Sequence, residues 1–139
     1  MAANERWAKH ITLAALAFFA VSAAAWAEAP DYRPGIPEAA ALPKFCWKQT
    51  MGNKFSAPEF DIPRDKCGVF VNHYCIGLID LNRANRTIGD EGKKRAFLRA
   101  ARDNTLYTLR GIMPFPRCPI RAHVEATLRI VDDQLKAFP

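Results

Sequence analysis

The chain has 139 residues and a formal net charge of +6, and half of its residues are hydrophobic. This length predicts a single domain and excludes a multidomain enzyme. The hydrophobic content argues against intrinsic disorder. The sequence is therefore expected to indicate a fold and a compartment, whereas it does not reveal a specific molecular function.

Residues 1–27 have the features of a secretory signal peptide. Two basic residues precede an apolar run over 11–26, which is shorter than the ~20 residues that a membrane span requires. A small-x-small pattern follows and predicts cleavage before Glu28. The mature chain is expected to be periplasmic or secreted, without a membrane span. The residues that carry these features are Arg6, Lys9, Ala25 and Ala27.

The predicted mature chain begins with a proline-rich arm over 28–65. Its prolines exclude a long helix or a central strand, because proline lacks the backbone donor that both require. We expect Cys46, with its neighbours Phe45 and Trp47, to tie this otherwise structureless arm to the helices. The prolines are Pro30, Pro34, Pro37, Pro43, Pro58 and Pro63.

Three amphipathic helices are predicted in the domain over 66–139. Apolar residues recur every three or four positions over 66–84 and again over 91–112. Asp90 is the predicted N-cap of the second helix, and Pro119 is expected at the first position of the third. The short connections predict antiparallel neighbours, so the fold class is an all-α, three-helix bundle.

Gly77 lies inside the first predicted helix, where glycine costs about 1 kcal/mol relative to alanine. One interpretation is that a neighbouring helix approaches closely at this point, through Ala100 or Ala101. The other is that the glycine is exposed and tolerated.

The four cysteines are expected to form two disulfides, because an even number in a small exported chain is typical of a disulfide framework. Cys67 and Cys75 are about 12 Å apart along one predicted helix, which is too far for a bridge. The second helix returns the chain to the start of the first, so Cys118 should lie near Cys67. This predicts the pairs Cys67–Cys118 and Cys46–Cys75.

The run from His73 to Leu78 reads His-Tyr-Cys-Ile-Gly-Leu and is followed by Leu-Asn-Arg-Ala over 81–84, with Phe-Cys-Trp upstream at 45–47. Over roughly 45–114 this pattern resembles small exported bacterial proteins with tetratricopeptide-like (TPR-like) helices. The resemblance implies a helical hairpin and a binding role without catalytic residues. The 34-residue unit of a standard repeat occurs only once here, so an extended peptide groove is not expected.

A second resemblance is to secreted immunity proteins of bacterial type VI secretion. It is carried by Tyr-Cys-Ile-Gly at 74–77, Cys-Pro at 118–119 and Phe-Pro at 138–139. This resemblance implies a small helical protein that neutralises a toxin.

The sequence gives little support to catalysis. A thiol nucleophile needs a nearby base, which His73 or His123 would supply, but an oxidising compartment favours disulfides. His73 and Cys75 are two positions apart and face different ways on a helix, so they are poor joint metal ligands. Phosphate-binding, hydrolase and dinucleotide motifs are absent from the sequence. We therefore predict no enzyme activity, no metal and no cofactor.

Two surfaces are candidates for binding a partner. One is a face of the first helix, and the other is part of a basic stretch that suits an acidic envelope protein. The alternative for the basic stretch is an ordinary solvated helix face. Nucleic acid is not expected as the partner of an exported protein. The candidate residues are Asn72, His73, Ile76 and Asp80 on the first helix, and Arg95, Arg99 and Arg102 in the basic stretch.

Three functions therefore compete. The leading hypothesis is an exported TPR-like protein-interaction module with an unknown envelope partner. The second is a periplasmic immunity protein, and the third is a thiol-redox or metal-handling protein.

Overall fold

The computed structural model describes residues 34–52 and 61–138. The predicted signal peptide and its cleavage site lie outside these residues. The described part of the chain is all-α. Its six helices are α1 (Ile36–Ala40), α2 (Lys44–Met51), α3 (Arg64–Cys67), α4 (Val71–Arg86), α5 (Glu91–Ile112) and α6 (Arg121–Lys136).

Helix α5 begins and ends where the sequence predicts. Asp90 is its N-cap, and the Asp90 carboxylate accepts a hydrogen bond from the backbone N–H of Lys93 at 2.8 Å. Helix α6 begins two residues later than expected, at Arg121. The prediction that Pro119 occupies its first helical position is wrong, because Pro119 lies in the turn that Arg121 closes by donating its N–H to the Cys118 carbonyl.

The prediction that the first helix is continuous over 66–84 is wrong. The short helix α3 ends at Gly68, which has a φ of +67° and donates its N–H to the Arg64 carbonyl. The left-handed conformation, which glycine adopts at little cost, turns the chain before α4 begins at Val71. Cys67 therefore lies outside the helix that carries Cys75.

Helices α4 and α5 form an antiparallel hairpin. The Thr108 hydroxyl donates to the Phe70 carbonyl at 3.0 Å, so the end of α5 lies beside the start of α4. Further along, Gly77 is buried against the middle of α5, where an added Cβ would lie 3.1 Å from the Ala101 carbonyl oxygen. This confirms close helix approach as the reason for the glycine, with Ala101 as one of the residues involved.

Helix α6 completes the bundle by running antiparallel to α5. Arg121 at its start donates to the Ile112 carbonyl at the end of α5, with a distance of 3.0 Å. The buried Tyr74 hydroxyl on α4 pairs with the Thr127 hydroxyl at 2.9 Å, and burial raises the pKa of this tyrosine. The prediction of three antiparallel helices is confirmed. No helix in the described ranges is long and apolar enough to cross a membrane.

Both predicted disulfides are present. Cys67 pairs with Cys118 and Cys46 pairs with Cys75, with Cα–Cα distances of 4.9 and 5.5 Å. All four cysteines are buried. Two intact bridges fit a non-reducing compartment.

Candidate functional site

The proline-rich arm is not structureless, because it carries α1 and α2. The Cys46–Cys75 bridge fixes α2 to α4. Glu38 on α1 accepts two hydrogen bonds from the Arg83 guanidinium on α4, at 2.7 and 3.0 Å. A covalent bond and a bidentate ion pair therefore hold the arm against one face of α4.

A cleft opens between the arm and α4. It consists of two cavities of about 450 and 460 Å³, and the side chains of Gln49 and Asn72 line both. We call this feature the arm cleft. Its walls include Lys48, Asp61, Arg64 and Val69 in the first cavity, and Pro34, Thr50, Cys75, Ile76 and Ile79 in the second.

The first cavity of the arm cleft is charged. Lys48 forms an ion pair with Asp61 across it. The exposed Arg64 guanidinium has no ion-pair partner among the described residues. Among the described residues that line this cavity, Arg64 therefore carries a positive charge that no carboxylate offsets.

Of the predicted residues on the first helix, two line the arm cleft and one turns away from it. Asn72 and Ile76 lie on its α4 wall. His73 points to α5 instead, where its Nδ1 lies 3.1 Å from the Asn104 side-chain oxygen and its ring centroid lies 4.3 Å from that of Tyr107. Because a carboxamide oxygen only accepts, Nδ1 of His73 is the donor.

Asp80 was predicted to lie on the contact surface, and this is wrong. Its residue is 1% exposed, and neither carboxylate oxygen meets hydrogen-bond geometry with any described group. Burial raises the pKa of Asp80 to about 6, and the Glu38 carboxylate adds to this. The Arg83 charge opposes the increase, as does the Asn104 carboxamide.

Two of the three candidate arginines in the basic stretch contact α6 or the residues just beyond it. Arg102 forms an ion pair with Asp132 on α6 at 2.7 Å, and Arg95 donates to the Phe138 carbonyl just beyond α6. Of the three candidate arginines, only Arg99 is fully exposed. None of the three arginines lines the arm cleft, so the two predicted surfaces do not form one site.

Sequence reasoning missed Gln49, Lys48 and Arg64 as residues of the site. They lie on either side of a break in the described chain at 53–60, and no periodic pattern relates them to α4. The one signal was Cys46, since a bridge from it to Cys75 must bring the next turn of the arm beside α4.

The described residues contain no group of three or more His, Cys, Asp or Glu side chains placed to hold a metal ion. The four buried cysteines are all in disulfides. Thiol exchange requires access to a sulfur atom, so these bridges have the character of structural disulfides.

Comparison with known proteins returned no match for this chain among family models, curated proteins or solved structures.

Proposed function

We propose that this chain is a non-catalytic protein-interaction module, periplasmic or secreted, whose arm cleft receives an extended segment of an envelope protein. The observation that carries the proposal is the cleft itself, which lies between α4 and an arm that is fixed to it covalently. The TPR-like resemblance implies a binding role for the α4–α5 hairpin, and this role stays a prediction.

Preorganisation supports binding at this place. A flexible arm would lose conformational entropy when it closed over a partner, and this loss would weaken the complex. Here the Cys46–Cys75 bridge and the Glu38–Arg83 ion pair already hold the arm in place. The free energy of ordering the arm is therefore supplied by folding rather than by binding.

The chemistry of the arm cleft also supports a binding role. Its described side chains include two carboxamides, aliphatic groups, the Lys48–Asp61 ion pair and the Arg64 guanidinium. The Gln49 carboxamide offers a donor and an acceptor, and the Asn72 amide nitrogen offers a further donor, which match the groups that a peptide backbone presents. The Thr50 hydroxyl is bonded to the Cys46 carbonyl and the Lys48 amine forms an ion pair with Asp61, so these residues suit recognition better than covalent chemistry.

Affinity capture from an envelope extract tests the proposal when cleft variants are compared with a surface control. Gln49→Leu with Asn72→Leu removes both carboxamides at nearly constant volume, and both residues are exposed, so the fold should tolerate the change. Arg99→Glu is the control, because it changes an exposed charge on α5. We expect the double variant to lose a partner that both wild type and the control retain. Retention by the double variant and loss by Arg99→Glu would overturn the proposal and assign binding to the basic stretch.

A further inference from the structure

The two cavities of the arm cleft differ in character, and this difference bears on what the cleft binds. Gln49 and Asn72 stand where the cavities meet. The Asn72 side-chain oxygen accepts the His73 backbone N–H at 2.9 Å, which leaves the Asn72 amide nitrogen to donate outward. The exposed Gln49 carboxamide retains both functions. Each of the two can therefore form a hydrogen bond to the backbone of an extended chain in the cleft.

The first cavity, on one side of Gln49 and Asn72, favours a negative charge on the ligand. Arg64 lines that cavity with Lys48 and Asp61, and the last two neutralise each other. An acidic side chain placed there would gain a partner in the Arg64 guanidinium, whereas a basic side chain would be repelled.

The other side favours an aliphatic group. Ile76, which is half-buried, and Ile79, which is only 2% exposed, line that cavity, and the Thr50 hydroxyl is already bonded to the Cys46 carbonyl at 2.9 Å. From Asn72 to Ile79 the helix rises by about 10 Å, which corresponds to about three residues of extended chain. A side chain two or three residues beyond the peptide group at the carboxamides would therefore reach this cavity.

We infer that the arm cleft recognises an extended peptide segment within a partner protein, with an acidic residue beside Arg64 and an aliphatic residue beside Ile76 and Ile79. This inference rests on the proposed function, because it specifies what the same cleft binds. It requires the ligand to run along α4 rather than across it.

Peptide display tests the inference without a known partner. A library of random peptides, flanked on both sides so that no free carboxylate is presented, is selected on the oxidised wild-type chain. Clones that also bind Gln49→Leu with Asn72→Leu are removed. We expect the remaining peptides to share an acidic residue a few positions from Leu, Ile, Val or Met. Their affinity for the double variant should be about tenfold lower, the size of one or two lost hydrogen bonds.

Charge reversal then tests the placement of the acidic residue. Selection on Arg64→Glu should replace the shared acidic residue with Lys or Arg, while selection on the matched control Arg129→Glu, an exposed position on α6, should not. Cleft-dependent peptides that lack an acidic residue, or that ignore Arg64→Glu, would overturn this inference and leave the proposed function in place. Absence of any cleft-dependent peptide would contradict both.

Discussion

Glu38 and Arg83 form a bidentate ion pair that joins the arm to α4, with N–O distances of 2.7 and 3.0 Å. The Arg83 hydrogen bonds hold the pKa of Glu38 below its usual value, despite its partial burial. Asp80 lies buried close enough to feel both charges. Two carboxylates therefore share the field of one guanidinium, and Asp80 is the one left without a hydrogen bond.

The first prediction concerns how the free energy of unfolding depends on pH, and it follows from the burial of Asp80. Its pKa rises from 3.8 in the unfolded chain to about 6 in the fold, so between these values the folded state binds more protons. Its contribution to stability is therefore lost as the pH rises from about 4 to 6. Asp80→Asn should increase the free energy of unfolding by about 2 to 3 kcal/mol at pH 7.5. The gain should shrink to near zero at pH 4.

Urea unfolding at pH 4, 5.5 and 7.5 measures this difference. The Glu38–Arg83 pair contributes with the opposite sign, since a lowered pKa stabilises above pH 4.5 and this stability is lost as the pH falls. Glu38→Gln is therefore the contrasting variant, and it should cost stability at pH 7.5. A loss of stability in Asp80→Asn at pH 7.5 would mean that the Arg83 charge and the Asn104 carboxamide outweigh the cost of burying the carboxylate.

The second prediction concerns the close contact between α4 and α5 at Gly77. A Cβ at this position would lie 2.9 Å from the Thr105 hydroxyl oxygen and 3.1 Å from the Ala101 carbonyl oxygen. Gly77→Ala should therefore reduce the free energy of unfolding by about 1 to 2 kcal/mol, although alanine is the better helix former. Gly92→Ala at the start of α5 is the control and should be neutral or slightly stabilising, because its Cβ would lie at an ordinary contact distance of 3.6 Å from the Asp90 side-chain oxygen. Thermal unfolding of both variants gives the comparison, and equal effects would exclude a packing cause.

The third prediction concerns the bridge that fixes the arm. Cys46 and Cys75 are 29 residues apart, so their bridge removes about 3 to 4 kcal/mol of chain entropy from the unfolded state. Cys46→Ala with Cys75→Ala should lower stability by this amount and make the arm sensitive to limited proteolysis. The helical circular dichroism signal should change little, because α4, α5 and α6 should remain folded. An arm that resists protease in this variant would show that Glu38 and the packing around α2 suffice.

The fourth prediction concerns the stability of the chain after charge reversal in the basic stretch. Reversing Arg95, Arg99 and Arg102 together would place a carboxylate beside Asp132 and remove the hydrogen bond to the Phe138 carbonyl. The triple reversal should therefore lower the melting temperature, contrary to the expectation for a solvated face. Arg99→Glu alone should leave the melting temperature unchanged. Differential scanning calorimetry separates the two, and an unchanged triple variant would mean that these contacts add no stability.

The features that could be predicted from the sequence are those with a local signal. The N-cap at Asp90 and the proline after Met113 define α5 within the chain itself. The disulfide pairing followed from chain reversal at the helix ends, and it holds although α3 and α4 are separate helices. The break at Gly68 was missed because the positive φ of a single glycine leaves the apolar spacing of its neighbours intact.

The candidate site could be predicted only in part, because it depends on where the arm lies. Asn72 and Ile76 were identified from their helix face, whereas Gln49 and Arg64 become neighbours of that face only through tertiary contacts. The burial of Asp80 has the same origin. Helical spacing places Asp80 beside a polar face of α4. The Glu38 charge lies close enough to affect Asp80 only because the arm packs against this helix.

Site-specific photocrosslinking tests the central claim most directly. A photoreactive amino acid is introduced at position 49 or 76 in the arm cleft, and at position 99 or 130 on the exposed surfaces of α5 and α6. Each chain is exported with its disulfides formed and irradiated in the intact envelope. The account predicts one common crosslinked partner from positions 49 and 76, and none from 99 or 130. Crosslinks to a common partner from 99 or 130, with none from the cleft positions, would contradict it.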